Sequence, residues 1–279
     1  MLINYGFDIS ITISQSTPLV TLLDIRDERR GDIIDESPLI IAPEVAASTY
    51  RDQFGNICRR LVAPAGDFQI TRSGTIRDSG ETDFIDESLA EIPVPDLPDD
   101  VLVYLLGSRY CETDRLSQLA WNQFGSIKPG WGRVQAIVDF VHNQLTFGYQ
   151  HARATRTAAD AFDERVGVCR DLAHLTIALC RCLNIPARYV NGYLGDIGVP
   201  KDPAPMDFSA WCEVYLGGRW CTFDARHNKP RIGRIVVAYG RDATDVPLFH
   251  SFGPHVLKSF KVWTDEVIAP TTQSARPAA

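Results

Sequence analysis

The sequence lacks long apolar runs, and no segment approaches the roughly 20 apolar residues that a membrane-spanning helix needs. It also shows no secretion signal, because residues 1–8 contain neither a basic stretch nor a continuous apolar stretch. These two absences predict a protein with no membrane partner.

Positive charge is also scarce. Lys and Arg number 28 against 35 Asp and Glu, which gives a formal net charge of −7 at pH 7. This balance argues against a nucleic-acid partner, because clustered Lys and Arg bind phosphate backbones. The sequence contains no glycine-rich phosphate loop, dinucleotide fingerprint or metal-ligand cluster. We therefore expect neither a cofactor nor a metal.

Cysteine is present, but not in a disulfide pattern. The seven cysteines are odd in number and lack the spacing of a disulfide framework. Cys180 and Cys182 form a C-x-C pair inside a predicted helix, which is poor geometry for a metal without partner ligands. The pattern predicts a reduced protein with a cytoplasmic location.

The sequence pattern of the first 90 residues is typical of β-strands. Residues 7–14 alternate apolar and polar, as a half-buried strand does. Residues 49–51 and 57–62 flank a short polar segment that contains Gly55, which predicts a hairpin. A small antiparallel β-sandwich is the simplest interpretation.

The sequence pattern changes at residues 91–98, where three prolines keep the chain extended. We place a domain boundary there, with a β-rich N-terminal domain at 1–92 and a core domain at 93–270. Helical periodicity begins after the boundary, over residues 114–124 and 131–145. Residues 271–279 are predicted to form a disordered tail.

A cysteine begins the next predicted helix. After Cys169, apolar residues recur at helical spacing as far as Leu183, and Pro186 ends the pattern. In the first turn, free backbone N–H groups and the helix dipole favour a thiolate. The same N–H groups could stabilise an oxyanion, so Cys169 is a candidate nucleophile.

Two strands joined by Gly217 and Gly218 form a predicted hairpin over residues 208–225. A two-residue loop places Ser209, Trp211 and Asp224 on one face of the sheet. Ser209 and Asp224 are then diagonal neighbours at about 7–8 Å. Cys212 and Cys221 fall on the opposite face, as core thiols.

The nucleophile segment 167–175 and the hairpin segments 207–216 and 219–224 resemble the core of the transglutaminase-like superfamily. Segments 107–114, 224–228 and 240–243 resemble a bacterial subgroup of it. The resemblance implies an α+β fold, with an N-terminal antiparallel β-sandwich followed by a papain-like, transglutaminase-like core.

The resemblance also implies a Cys-His-Asp triad. Cys169 and Asp224 match it, but Ser209 stands where the family's histidine precedes the Ala-Trp pair. Serine is too weakly basic to accept a proton near pH 7. The protein could be catalytically silent, could use another base or a substrate that needs none, or could carry an engineered replacement.

Another histidine could supply the base. His174 lies about 140° around the helix from Cys169 and should face elsewhere. His227 lies three residues after Asp224, which on a continued strand is the opposite face. His151, entering from a loop, is the most plausible substitute.

Several residues are candidates for substrate contact. Arg109 and Tyr110 could line the cleft, where they would hold a carboxylate or an oxyanion, or they could be purely structural. Arg170 and Asp171, next to the nucleophile, could form a local ion pair or contact substrate. Trp211 is a further candidate.

These observations predict cysteine-dependent acyl transfer or hydrolysis on an amide or thioester, with an atypical triad of Cys169, Ser209 and Asp224. The substrate would be a peptide, a protein or a carrier-bound acyl group. The alternative is a pseudoenzyme that binds a peptide or partner protein in the same cleft. The oligomeric state is left open.

Overall fold

The computed structural model describes residues 1–268, so the tail predicted at 271–279 lies outside the described residues. The described residues form 15 strands: β1 Leu2–Ile13, β2 Thr17–Thr21, β3 Ile33–Glu36, β4 Ile40–Ala42, β5 Ala47–Arg51, β6 Ile57–Ala63, β7 Gly66–Arg77, β8 Thr146–Phe147, β9 Val166–Gly167, β10 Ala187–Tyr193, β11 Ser209–Leu216, β12 Arg219–Phe223, β13 Ile235–Gly240, β14 Phe249–Ser251 and β15 His255–Glu266. The α-helices are α1 Thr113–Phe124, α2 Trp131–Gln144, α3 Ala158–Glu164 and α4 Cys169–Cys182. Short 3-10 helices cover Asp27–Asp32, Val94–Asp96, Asp99–Leu105 and Tyr149–His151.

The N-terminal region is β-rich, as predicted. Strand β1 pairs with β15 on one side and β7 on the other, and β7 also pairs with β3 and β4. Phe7, Ile9 and Ile11, at every second position of β1, are at most 3% exposed, which explains the alternation seen in the sequence. The predicted hairpin is β5–β6, with Arg51 opposite Ile57.

A second antiparallel sheet has the order β14-β2-β6-β5. Its edge strand β14 and the long strand β15 come from the C-terminal part of the chain, yet both pair with strands of the first 25 residues. The β-rich layer is therefore built from both ends of the described chain. The division of the chain at residue 92 remains a prediction.

The core that positions the site is a four-stranded sheet, β12-β11-β10-β13, against which α4 packs. Helices α1, α2 and α3 contact α4 as well. Every side chain of α4 from Asp171 to Cys182 is buried. With helices packed on antiparallel sheets, the fold is α+β, which confirms the predicted class.

No helix within residues 1–268 is long and apolar enough to cross a membrane.

Arg181 ties the last turn of α4 to its surroundings. The side chain is 2% exposed. It donates to the carbonyls of Ala187, Leu106 and Arg241 at distances between 2.6 and 3.1 Å. These bonds join the helix to the start of β10, to the loop before α1 and to the segment after β13.

Replacing Arg181 with Met should lower the free energy of unfolding by about 3 kcal/mol, because the buried Ala187 carbonyl and the part-buried carbonyls of Leu106 and Arg241 lose their donor. Removing a desolvated charge recovers part of the cost. Urea unfolding measures the change. The control is Arg30→Met, whose side chain is 66% exposed and which should change stability by less than about 0.5 kcal/mol. Equal stability of the two variants would show that Arg181 does not fix the helix.

Candidate active site

Cys169 is the first residue of α4, as predicted, and the turn before it is held by an aspartate. The Asp171 carboxylate accepts a hydrogen bond from the Val168 amide at 3.0 Å and thereby caps the helix. It lies so close to Gly167 that a Cβ there would come within 2.7 Å of the Asp171 Cβ. The glycine before the nucleophile is thus required by the close approach of the capping residue.

Asp171 and Arg170 are engaged locally. Asp171 is fully buried and pairs with Arg156 at 3.1 Å. Arg170, which is half-buried, pairs with Asp171 at 3.2 Å and also donates to the Arg153 carbonyl. The sequence left open whether Arg170 and Asp171 form a local ion pair or contact substrate, and in the structure they form an ion pair.

The Cys169 thiol is half-buried and contacts the start of β11, where the Ala210 amide donates to it. Burial raises the pKa of the Cys169 thiol to about 11, while Arg226 and the Ala210 amide act in the opposite direction. The prediction that the helix N-terminus lowers the pKa of Cys169 is therefore wrong, because the loss of hydration on burial outweighs the groups that stabilise the thiolate. At neutral pH Cys169 is a thiol.

The β11–β12 hairpin has the predicted register, with Leu216 opposite Arg219 and Cys212 opposite Phe223. Cys212 and Cys221 are both buried, as expected of core thiols. Trp211 is 1% exposed. It packs under the Arg234 guanidinium, 4.7 Å from the ring centre. The structure thus places Trp211 in the core and not in the lining of a cleft.

Ser209 begins β11 and pairs with Gly192 of β10. It is 4% exposed, and among the described residues its hydroxyl has no hydrogen-bond partner. Ser209 immediately precedes Ala210, whose amide contacts the thiol. Among the described residues the hydroxyl is therefore a buried polar group without a partner, one residue before the position of β11 whose amide contacts the thiol.

Asp224 follows the last residue of β12 and starts a turn, closed by a hydrogen bond of 2.8 Å from the Asn228 amide to the Asp224 carbonyl. The carboxylate accepts from the Arg226 amide at 3.0 Å, from Arg234 at 3.0 Å and from His227 at 2.9 Å. Burial alone would raise the pKa of Asp224, but Arg234 and His227 outweigh it and hold the pKa well below its usual range. Asp224 is therefore a carboxylate at neutral pH.

The prediction that His227 faces away from Asp224 is wrong. It assumed a strand continuing past Asp224, whereas the chain turns there and folds the imidazole back onto the carboxylate. Aspartate at the start of a polar segment is typical of such turns, and the residues after Asp224 carried that signal. The sequence prediction missed the contact of His227 with Asp224 because it assumed that β12 continues past Asp224. In the structure, β12 ends at Phe223.

His174 and His151, the other two histidines considered as a base, have different surroundings. His174 is fully buried, accepts a hydrogen bond from the Ala243 amide at 3.1 Å and stacks on Tyr110 at 5.2 Å. Burial lowers the pKa of His174 to about 3, so it is a neutral packing residue. His151 lies in the 3-10 turn Tyr149–His151, with its ring beside Gln150. His227, and not His151, is the histidine that contacts Asp224.

Arg109 and Tyr110, on the loop before α1, lie against each other. Arg109 is exposed, with its guanidinium 5.3 Å from the centre of the Tyr110 ring. The Tyr110 hydroxyl donates to the Ala154 carbonyl at 3.0 Å, and its amide donates to Asp242 at 2.8 Å. The hydroxyl is therefore occupied by a backbone carbonyl and is not free to hold an oxyanion.

A small cavity of about 60 Å³ opens beside Ser209. Arg226 and His227 line it with Ser209, as do the acidic side chains of Asp196, Asp202 and Asp207. The Arg226 guanidinium lies 4.1 Å from the centre of the Phe147 ring. A larger cavity of about 550 Å³ also borders Asp224, but neither Cys169 nor Ser209 lines it.

Comparison with known proteins places the site in a family. The model described as the transglutaminase-like superfamily matches residues 117–225, a range that includes Cys169, Ser209 and Asp224 and ends before His227. The chain is similar to a candidate cysteine protease of known crystal structure from Cytophaga hutchinsonii. The two are 32% identical with a TM-score of 0.81, and the alignment covers 97% of this chain and 93% of that one.

Two mycobacterial proteins, both uncharacterized, are similar as well. The one from Mycobacterium leprae is 25% identical over 218 residues, which is 73% of this chain and 75% of that protein. The one from Mycobacterium tuberculosis is 28% identical over 144 residues, or 48% of this chain and 46% of that protein.

Replacing Asp224 with Asn should lower the free energy of unfolding by about 2–3 kcal/mol at pH 7, because the buried Arg234 guanidinium loses one of its two carboxylate partners and keeps only Asp83. The lowered pKa of Asp224 means that its stabilisation is complete above about pH 4 and is lost as the pH falls through the folded-state pKa. Urea unfolding at several pH values should therefore show a difference from wild type that shrinks in acid. The control is Asp163→Asn, at a side chain 64% exposed, and an equal effect of both variants would contradict the prediction.

The raised pKa of Cys169 predicts slow alkylation by iodoacetamide at pH 7. The rate should rise about tenfold per pH unit toward the pKa of about 11, since the thiolate is the reactive form. Peptide mass spectrometry after timed labelling reports the rate at each cysteine separately. A plateau already reached at pH 8 would show that the thiol is acidified after all.

Proposed function

Because the chain belongs to the transglutaminase-like superfamily, we propose that it transfers or hydrolyses an acyl group of an amide or thioester through Cys169. The observation that supports the proposal is the surroundings of the Cys169 thiol at the start of α4. The Ala210 amide contacts the thiol, and the charges of Arg226 and Asp224 both act on its pKa. Asp224 in turn pairs with the His227 imidazole at 2.9 Å.

In the proposed reaction, the Cys169 sulfur attacks the carbonyl carbon and expels an amine or a thiol, leaving an acyl group on the cysteine. Water or an amine then takes up the acyl group and frees the sulfur. The Asp171 amide already donates to the Val168 carbonyl at 2.8 Å, whereas the Cys169 and Arg170 amides precede the first acceptor of the helix and are suited to stabilise the negative oxygen formed in both steps. Asp224 serves as the polar partner that the triad requires, and Ser209 occupies the position of the family's histidine.

The alternative is a pseudoenzyme that binds a peptide or a partner protein in the same cleft. The raised pKa of Cys169 favours it, because a thiol without a base is a poor nucleophile. The buried carboxylate of Asp224 favours the enzyme, since it pairs with an imidazole as well as with Arg234. A cleft that only binds has no need of that pairing.

The proposed substrate is a peptide, a protein or a carrier-bound acyl group. Arg109, which is exposed, is the proposed contact for a substrate carboxylate. Arg170 is already paired with Asp171, and its guanidinium lies beside the same Tyr110 ring, 5.7 Å from the ring centre. Tyr110 and Asp171 would support these contacts through packing and pairing. A reduced, cytoplasmic location is part of the proposal, supported by seven cysteines that are all free.

Replacing Cys169 with Ala should abolish hydrolysis of p-nitrophenyl acetate and the appearance of an acetyl adduct at this position, because the proposed acyl intermediate forms on the Cys169 sulfur. Stopped-flow absorbance and peptide mass spectrometry measure the two effects. Cys182→Ala, at the other end of the same helix, is the matched control and should keep both. Hydrolysis that survives unchanged in the Cys169 variant would refute the nucleophile assignment.

A further inference from the structure

The cavity of about 550 Å³ that borders Asp224 is a second concave region, separate from the surroundings of the Cys169 thiol. Its walls come from three parts of the chain: the segment 83–87, helix α2, and the end of β12 with the turn that follows it. Small-molecule sites in proteins usually measure about 300–1,000 Å³. The cavity is therefore large enough to hold a ligand of its own.

Hydrogen bonds fix one wall of this cavity at both ends. The Asp83 amide donates to the Arg231 carbonyl at 2.9 Å, and the Trp131 amide donates to the Leu89 carbonyl at 2.9 Å. The segment between these two anchors supplies the wall that faces α2 and the turn after β12. Because the wall is already held in place, a ligand would lose little free energy in ordering it.

The apolar part of the lining suits an aromatic or aliphatic group. Trp131 and Phe223 are at most 5% exposed, and their ring centres lie 4.6 Å apart. Phe84 and Ile85, in contrast, are 45% and 52% exposed. A ligand that covered these two side chains would gain about 25 cal/mol for each Å² of apolar surface removed from water.

The polar part of the lining is mainly acidic. Four carboxylates stand against one ammonium group in it, namely those of Asp83, Glu87, Asp139 and Asp224 against that of Lys229. Asp83 and Asp224 share a single positive partner, the Arg234 guanidinium. The Arg219 guanidinium lies 4.0 Å from the centre of the Phe84 ring, so this aromatic side chain already attracts one cation.

Glu87 and Asp139 are the carboxylates that remain available. Both are exposed, and neither forms an ion pair with another part of residues 1–268. Asp139 accepts hydrogen bonds from the neutral side-chain amides of Gln135 at 2.8 Å and Asn228 at 2.9 Å. Both bonds end at Oδ1, so the negative charge is not compensated and Oδ2 has no side-chain partner within the described part of the chain. Lys229, also exposed, pairs with neither carboxylate.

We propose that this cavity binds a small organic cation, with its apolar or aromatic body against Phe84, Ile85 and Trp131 and its ammonium group at the carboxylates of Glu87 and Asp139. The excess of acidic groups selects a cation over an anion, and the net charge of −7 of the chain acts in the same direction. The site goes beyond the acyl-transfer reaction and does not involve the Cys169 sulfur.

The test uses three indole compounds that differ in charge and little in shape. At pH 7 tryptamine is a cation, tryptophol is neutral and indole-3-propionate is an anion. Isothermal titration calorimetry with the full chain at low ionic strength measures the affinity for each. Tryptamine should bind about tenfold more tightly than tryptophol, and the anion should bind most weakly, because carboxylates at the mouth attract the cation and repel the anion.

Two variants locate the site. Glu87→Gln combined with Asp139→Asn should weaken tryptamine binding about tenfold and leave tryptophol binding unchanged, because the side chains keep their shape and lose their charge. Asp163→Asn, at an exposed carboxylate of α3, is the matched control and should change neither. Gly132→Trp should abolish binding of tryptamine and tryptophol. Gly132 lines the cavity and a Cβ there would meet nothing within 4 Å, so the added ring can occupy the space without disturbing α2.

Thermal unfolding establishes that each variant is folded. Tryptamine that fails to bind wild type at millimolar concentration, or that binds no more tightly than tryptophol, would overturn the proposal. The same holds if the anion binds most tightly, or if tryptamine binds unchanged to the charge-neutralised double variant or to a folded Gly132→Trp protein.

Discussion

The site depends on the burial of one helix. From Asp171 onward every side chain of α4 is buried, between the sheet β12-β11-β10-β13 and the helices α1, α2 and α3. Its last turn is held by the carbonyls that Arg181 binds and its first turn by the carboxylate of Asp171. A helix fixed at both ends and on all sides presents its first residue, Cys169, at one position relative to β11. The half-buried thiol follows from that packing, and so does the raised pKa.

A second constraint is electrostatic and lies at the end of β12. Asp224 is buried, and a buried carboxylate persists only when it is paired. Arg234 supplies the charge and extends the network to Asp83, at 2.9 Å, while its guanidinium covers Trp211. The network thus joins the hairpin to the loop before β13. It keeps Asp224 ionised, and an ionised Asp224 in turn fixes which nitrogen of His227 carries the proton.

These two constraints act against each other at the nucleophile. Packing that positions Cys169 also desolvates it, and the positive charge of Arg226 and the Ala210 amide offset only part of the effect. The balance keeps the pKa of the Cys169 thiol above its ordinary value. The turn after β12 folds His227 onto Asp224 and brings its imidazole to the small cavity that Ser209 also lines.

Much of this was predictable from local pattern. The period of apolar residues determined that a helix begins at Cys169, the two glycines determined the register of the β11–β12 hairpin, and alternation determined β1. Each depends on residues that are neighbours in the chain, so the sequence by itself contains the information.

The tertiary structure alone decided the rest. The pairing of β14 and β15 with β2 and β1, the pKa of Cys169 and the contact of His227 with Asp224 depend on groups far apart in sequence or on a turn whose direction packing selects. Desolvation and long-range pairing are sums over the whole surroundings of a group, and no local spacing encodes them.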